Sequence, residues 1–358
     1  MTPLIHFLEV PQIMTRSFSN WLSSHSVLAV VACVCVSACS GLNSTSVPGG
    51  AAPATSGSFS ASRSRTSTSN TWTLGEPAPT RQFTGAAAVV GTNIYLVGGE
   101  IHTGVLNEND VYDTTTNTWS RAKRMPTSRT ALAAVGLNGL VYAIGGESFT
   151  GPPLATVEAY DPVSNTWSTK APLPVPVDSM TATVDNGLIY VVGGFNNASG
   201  KPFNGVQVYD PNANAWTSVA PLNTAKSYAF TGTVGTSIVA AAGSIGNGPT
   251  ADNEVYDPTS NAWTTKTQAL LQRYGGCAGA IGGSLYVAGG LKFSPIRSAA
   301  KETDAYDVAA DHWTKLASMR FPMIGMASAV VNDQLYCIGG SPRFGQSVFS
   351  RKVQIYQP

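Results

Sequence analysis

An all-β fold, six four-stranded sheets set like blades around a central axis, is what this sequence predicts, and three observations carry the prediction. The first is an apolar run closed by small residues that recurs six times: "IYLVGG" at 94–99, "VYAIGG" at 141–146, "IYVVGG" at 189–194, "IVAAAG" at 238–243, "LYVAGG" at 285–290 and "LYCIGG" at 335–340. The second is an eight-residue cassette: "YDTTTNTW" from Tyr112, "YDPVSNTW" from Tyr160, "YDPNANAW" from Tyr209, "YDPTSNAW" from Tyr256 and "YDVAADHW" from Tyr306. The third is spacing. Successive glycine endings lie 47 to 50 residues apart, a long-period repeat.

Taken in chain order, the first element is a leader over residues 1–38, with Met14 as an alternative start. "SVLAVVACVCVSAC" (Ser26–Cys39) holds an apolar run of about ten residues, too short to cross a hydrocarbon layer of ~30 Å and shaped like a secretory h-region. Arg16 is the one basic residue ahead of it. "VSAC" resembles a bacterial lipobox, which makes Cys39 the expected lipidation site and first mature residue. Residues 39–70 follow as a tether of Ser, Thr, Gly and Ala with almost nothing large and apolar to bury. The expected location is outside the cytoplasm, periplasmic or at the cell surface, with membrane contact only through the lipid.

The repeats occupy 71–358. From each tryptophan to the next glycine ending is 27 residues in all six units, beginning with Trp72 and Gly99. From that glycine to the next tyrosine takes 13, 14, 15, 13, 16 and 16 residues, so every insertion falls in one connection. Each blade then reads as four antiparallel strands. Strand a is innermost and small ("GAAAVV" at 85–90, "GCAGAI" at 276–281), strand b ends in the glycines, c carries the tyrosine and d the tryptophan. In the c–d turn, Asp supplies local backbone bonds and Asn a residue tolerant of positive φ. Trp72 has no preceding "YD" and Tyr356 no following tryptophan. "NTWTL" (70–74) should therefore supply strand d of the last blade beside "KVQIY" (352–356), closing the ring and removing its open edges.

These features resemble the Kelch family, through the glycine doublet, the "YD" after it and the tryptophan at a fixed distance beyond, over Trp72 to Tyr356. The resemblance implies a six-bladed Kelch β-propeller. It also implies a place to look for a ligand, because some Kelch domains bind acidic ligands through arginines at the entrance to strand a. The d–a connections and the variable b–c loops share one face, and ten residues past each tryptophan stand Gln82, Arg129, Val177, Lys226, Arg273 and Met323. Candidate ligand-binding residues on this face are Arg81, Arg129, Lys226, Arg273, Tyr228, Tyr274, Glu100 and Glu147. Arginine grips a carboxylate through two parallel hydrogen bonds, so a protein or an anionic glycan is the expected partner.

Composition narrows the function classes. Charged residues are 11% of 358, and 21 basic side chains nearly cancel 20 acidic ones, which excludes the basic footprint of a nucleic-acid binder. Of five cysteines, Cys33, Cys35 and Cys39 crowd the leader. Cys277 and Cys337 fall in strand-like runs of different repeats and read as small buried hydrophobes; a disulfide between them stays open but has no support from spacing. There is no CxxC pair or His/Cys cluster, so no metal and no cofactor is expected. Kelch-containing copper radical oxidases need histidine and tyrosine metal ligands, and with only His102 and His312 in the mature chain that reading is rejected. No Ser/His/Asp arrangement, phosphate loop or HExxH motif is present. The chain reads as a monomeric, non-catalytic binding module. The alternative is an isomerase similar to the exported N-acetylneuraminate epimerases (sialic acid mutarotases) that share this architecture, with Glu100, Glu147, His102 and Arg129 as the available acid–base and anion-binding groups.

Overall fold

Glycine-punctuated, β-branched runs of five residues become strands here because alternate positions pack against neighbouring sheets. The computed structural model describes residues 69–358 except 149–150, 197–198, 294–295, 344 and 346–347. The leader, nearly all of the tether and Cys39 lie outside these residues. Among the described residues all regular structure is β, and six antiparallel sheets have four strands each. Blade 1 runs a to d through Ala86–Val90, Asn93–Val97, Asn109–Asp113 and Thr118–Arg121; blade 2 through Ala133–Leu137, Leu140–Ile144, Val157–Asp161 and Thr166–Thr169. Blade 3 uses Thr181–Asp185, Leu188–Val192, Val206–Asp210 and Ala215–Val219, and blade 4 Phe230–Val234, Ser237–Ser244, Pro249–Asp257 and Ala262–Lys266. Blade 5 uses Cys277–Ile281, Ser284–Ala288, Thr303–Asp307 and His312–Leu316.

Blade 6 is completed from the other end of the chain. Its strands a to c are Ala327–Val331, Gln334–Ile338 and Val353–Gln357, and its strand d is Thr71–Gly75. Trp72 stands directly opposite Tyr356 in that pair, the register that Tyr112 and Trp119 keep in blade 1. The ring is closed as the sequence predicts.

The repeated cassette is a polar clamp as well as an aromatic one. In every blade the tyrosine and tryptophan rings sit 4.9–5.2 Å apart. The indole N–H donates across the seam to the carbonyl of the residue four past the preceding blade's tryptophan: Trp119 to Glu76, Trp167 to Lys123, Trp216 to Ala171, Trp263 to Ala220, Trp313 to Thr267 and Trp72 to Ala317, at 2.7–2.9 Å. The N–H of that same residue donates to the cassette's Asn117, Asn165, Asn214, Asn261, Asp311 or Asn70. The tyrosine hydroxyl donates to the same side-chain oxygen. These acceptors adopt φ of +24° to +57°, the region that Asn and Asp tolerate best. Asp113, Asp161, Asp210, Asp257 and Asp307 accept backbone N–H groups of the c–d turn, as expected of the "YD" aspartate.

Burial adds to the clamp unevenly. Trp72, Trp263 and Trp313 are buried while the other three are half-buried. A fully buried tryptophan removes ~150–250 Å² from water, roughly 4–6 kcal/mol at about 25 cal/mol per Å². The glycine endings work at the same seams. A Cβ on Gly98 (φ +63°) would stand 2.6 Å from the Arg129 carbonyl oxygen, the acceptor for the Gly99 N–H at 3.0 Å. Blade 4, which reads Ala242–Gly243, forces Ala242 to φ +52°.

A third seam lies at the axis. Twelve residues past each tryptophan stand Thr84, Ala131, Ser179, Tyr228, Gly275 and Gly325, all with φ between +51° and +64°. Each N–H donates to the carbonyl of its counterpart one blade back: Ala131 to Thr84, Ser179 to Ala131, Tyr228 to Ser179, Gly275 to Tyr228, Gly325 to Gly275 and Thr84 to Gly325, at 2.6–3.1 Å. Six hydrogen bonds thus close a complete circle.

One expectation is corrected. Cys277 in strand a of blade 5 and Cys337 in strand b of blade 6 form a disulfide, with Cα atoms 5.6 Å apart. They are not two separate hydrophobes. Spacing carried no hint because the bond joins adjacent blades, 60 residues apart in sequence. Replacing both by alanine should lower stability by about 2–4 kcal/mol in urea denaturation. Alkylation of the unfolded, unreduced protein should leave both unlabelled; labelling without reductant would contradict the bridge.

Candidate functional site

Where the d–a connections turn into strand a, each blade sends one side chain inward. Gln82, Arg129, Val177, Lys226, Arg273 and Met323 are all 0–4% exposed. The three cations expected to grip a ligand are therefore interior. Arg129 donates to Glu158 at 2.8 Å and to the carbonyls of Ala143, Gly145 and Thr156. Arg273 repeats the pattern with Asp304 at 2.6 Å and the carbonyls of Val287, Gly289 and Glu302. Lys226 pairs with Glu254 at 2.9 Å. Burial opposes charge at three of these groups: it pulls Arg129 down to about 10 and lowers Arg273, while Asp304 is raised by the same cause. Arg129, Lys226 and Arg273 pin strands b and c of their own blades and do not face the mouth of the ring.

The partner of each inward residue stands two before the blade's tyrosine, and the two positions change together. Arg129, Lys226 and Arg273 meet Glu158, Glu254 and Asp304. The uncharged Val177 and Met323 are accompanied by Gln207 and Gln354. Gln207 exchanges two hydrogen bonds with the Val175 backbone, at 2.9 and 3.0 Å, and Gln354 does so with Phe321, at 2.9 and 3.1 Å. Blade 1 differs, with Gln82 and Asp110 at the two positions; that carboxylate meets Arg121 at 3.7 Å, and burial is the main cause of its raised pKa. Comparing repeats of this one chain at these two positions would have exposed the pairing.

The mouth is built one position further on. Residues eleven past each tryptophan bridge by backbone to residues following the glycine endings: Phe83 with Glu100, Thr130 with Glu147, Asp178 with Phe195, Ser227 with Ser244, and Ile324 with Ser341; Tyr274 pairs with Leu291. Carboxylates thus occupy three consecutive blades, 1 to 3, and apolar or aromatic side chains occupy blades 5, 6 and 1. Glu100, pushed up to about 7 by burial and then by the charge of Glu147, is half-buried. Asp178 is buried and pushed up to about 7 by the same two causes, against a hydrogen bond from Ser179. Tyr228 and Tyr274 sit 5.9 Å apart, and Phe83 stacks on Phe349, which also meets His102 at 4.9 Å. Arg81 is exposed at the rim and donates to the Phe349 carbonyl at 3.1 Å.

Of the candidate residues, Glu100, Glu147, Tyr228 and Tyr274 converge at the mouth and Arg81 borders it. Asp178, one place beyond the register used to find candidates, belongs with them. Below the mouth the strand-a entrances enclose an axial cavity of about 180 Å³. Among the described residues no group of three His, Cys, Asp or Glu side chains is arranged to hold a metal ion.

In Glu158→Gln the buried Arg129 loses its counter-ion, a change expected to cost about 3–5 kcal/mol. The double variant Arg129→Met, Glu158→Gln copies the Met323–Gln354 pair of blade 6 and should recover most of that loss in urea midpoint. A single variant as stable as the parent, or a double variant worse than the single, would contradict the pinning role.

Known proteins agree with this architecture. No curated protein matches the chain. Among solved structures, that of YjhT superposes with a TM-score of 0.68 at 18% identity, covering 77% of this chain and 95% of the other, a likeness that shows the fold alone. The Kelch motif matches residues 85–126, and the KLHDC2/KLHL20/DRC7 Kelch-repeats domain matches residues 133–340, more than half of the chain. This chain belongs to the Kelch-repeat family, as a β-propeller of six blades closed by its own first strand.

Proposed function

We propose that this chain is a non-catalytic binding module, exported and held to a bacterial membrane or cell surface through a lipid on Cys39, which presents the mouth of its propeller to a protein or carbohydrate partner. The axial cavity carries the reading. It opens on the face where loop length varies and lies beneath a rim that is carboxylate on one side and aromatic on the other. An acidic group on the ligand finds no help from Arg129, Lys226 or Arg273, whose charges are answered inside the blades. The inter-blade disulfide supports export, since such bonds persist in oxidising compartments.

A second reading, a sugar isomerase similar to N-acetylneuraminate epimerases, draws on one observation. Glu100 and Asp178 have affinities for a proton near neutrality, the range in which a carboxyl group both gives and takes protons effectively. It predicts faster anomeric exchange of sialic acid in proton NMR when protein is added, and rates equal to buffer would end it.

Charge reversal at two half-buried mouth positions, Glu100→Lys with Glu147→Lys, tests the main reading. Capture of a partner found by pull-down or glycan array should weaken at least about tenfold, equivalent to 1.4 kcal/mol. Unchanged capture would place the site away from the mouth.

A further inference from the structure

The axial circle of hydrogen bonds requires positive φ in all six blades, and blade 4 meets that requirement with Tyr228, at φ +52°. A bulky residue is disfavoured in this region, whereas glycine enters it freely. Gly275 and Gly325 satisfy the same geometry in blades 5 and 6, and Thr84, Ala131 and Ser179 are small. The fold therefore does not call for an aromatic ring here.

The surroundings of Tyr228 show what such a ring can do. It is half-buried and borders two spaces at once: the axial cavity of about 180 Å³ and a side pocket of about 20 Å³ whose walls include Phe83, Tyr274, Leu291 and Ile324. Tyr228 borders both, together with Thr84, Gly275 and Gly325, and is the one large side chain among these four. Its side chain hydrogen-bonds that of Ser179, and its hydroxyl proton is held by burial first and then by the nearby charge of Asp178.

The axial cavity has a distinctive chemistry. Hydroxyls line it, from Thr84, Ser179, Thr181, Tyr228, Thr231 and Ser328, and the rest of its wall is Gly, Ala, Leu and Met. No charged side chain is among the residues lining it. A charged group entering would lose water without gaining a counter-ion, which is unfavourable. An uncharged polyol meets these hydroxyls as acceptors throughout and as donors only in part, since Ser179 and Thr181 already give their protons to Asp178 and Thr231. The volume lies below the ~300 Å³ at which drug-sized sites begin, so the occupant is a single ring or the tip of a longer chain.

Resting on the binding-module reading, we infer that the axial cavity holds the uncharged, hydroxyl-bearing ring of a carbohydrate, and that Tyr228 is its specificity-determining residue, stacking on the ring's apolar face.

Saturation-transfer NMR on the full chain tests this with glucose, galactose and N-acetylglucosamine as neutral probes, glucuronate as the anion and glucosamine as the cation. At least one neutral sugar should bind, and neither charged sugar should bind more tightly. Tyr228→Gly should lose at least about tenfold in affinity while still melting cooperatively, because glycine relieves the positive φ even as the ring's contacts with Tyr274 and Ser179 are lost. Tyr228→Phe should bind within about threefold of the parent, since the stacking face remains. Preference for a charged sugar, or parental binding by Tyr228→Gly, overturns the inference. So does a large fall in melting temperature in both variants, which would make Tyr228 structural. Absence of any sugar binding also overturns it, while partner capture sensitive to Glu100→Lys and Glu147→Lys would leave the mouth itself as the binding face.

Discussion

Everything in this molecule hangs from a clamp made by three side chains on one backbone unit. The tyrosine, the asparagine (Asp311 in blade 5) and the tryptophan of each cassette converge on the residue four past the preceding blade's tryptophan, where the Asn or Asp side-chain oxygen accepts its N–H and the indole N–H meets its carbonyl. Each such bond is worth only about 0.5–1.5 kcal/mol net. Their force comes from repetition in all six seams, beside the aromatic area that the paired tyrosine and tryptophan rings bury. Side chains of two small sheets packed face to face could slide; groups hydrogen-bonded in this way cannot. The clamp therefore fixes the angle between blades, and a fixed angle repeated six times returns to its starting point.

Closure follows from a cassette cut in two. Tyr356 belongs to the C-terminal strand, while Trp72 lies in the first described strand and Asn70 just before it, yet they make the same bonds as the contiguous copies. The axial circle of backbone bonds then ties the inner ends together, at the price of six residues in left-handed conformation. With outer and inner seams both fixed, strand-a entrances and b–c loops are held on a common face, and length can vary there without disturbing the ring. That is how a rigid repeat comes to carry a mouth that differs from blade to blade: acidic at Glu100, Glu147 and Asp178, aromatic at Phe83 and Tyr274.

The wheel was legible in the sequence because the 27-residue interval is a mechanical constant, spanning strand d, strand a, strand b and their tight connections. The split cassette was legible for the same reason, since Trp72 and Tyr356 each lack a partner nearby. The roles of Arg129, Lys226 and Arg273 were not. At the start of strand a, a cation can face the axis or fold back under its own blade, and only the acidic residue two before the tyrosine decides between these. That residue reads locally as an ordinary polar position of strand c. Cys277 and Cys337 escaped because their proximity arises from the packing of two blades. The mouth itself was half legible: Glu100 and Tyr228 announce themselves by register, whereas the cavity beneath them exists only once six strand-a entrances meet.

The central claim is that the first strand locks the last with the same clamp used at the other five seams. Indole hydrogen exchange reads each clamp separately, because the donor in every one is a tryptophan Nε1–H. The account predicts that Trp72, Trp119, Trp167, Trp216, Trp263 and Trp313 all exchange slowly and at a common rate set by global unfolding. Fast exchange of Trp72 alone, with the other five protected, would show an open ring and contradict it.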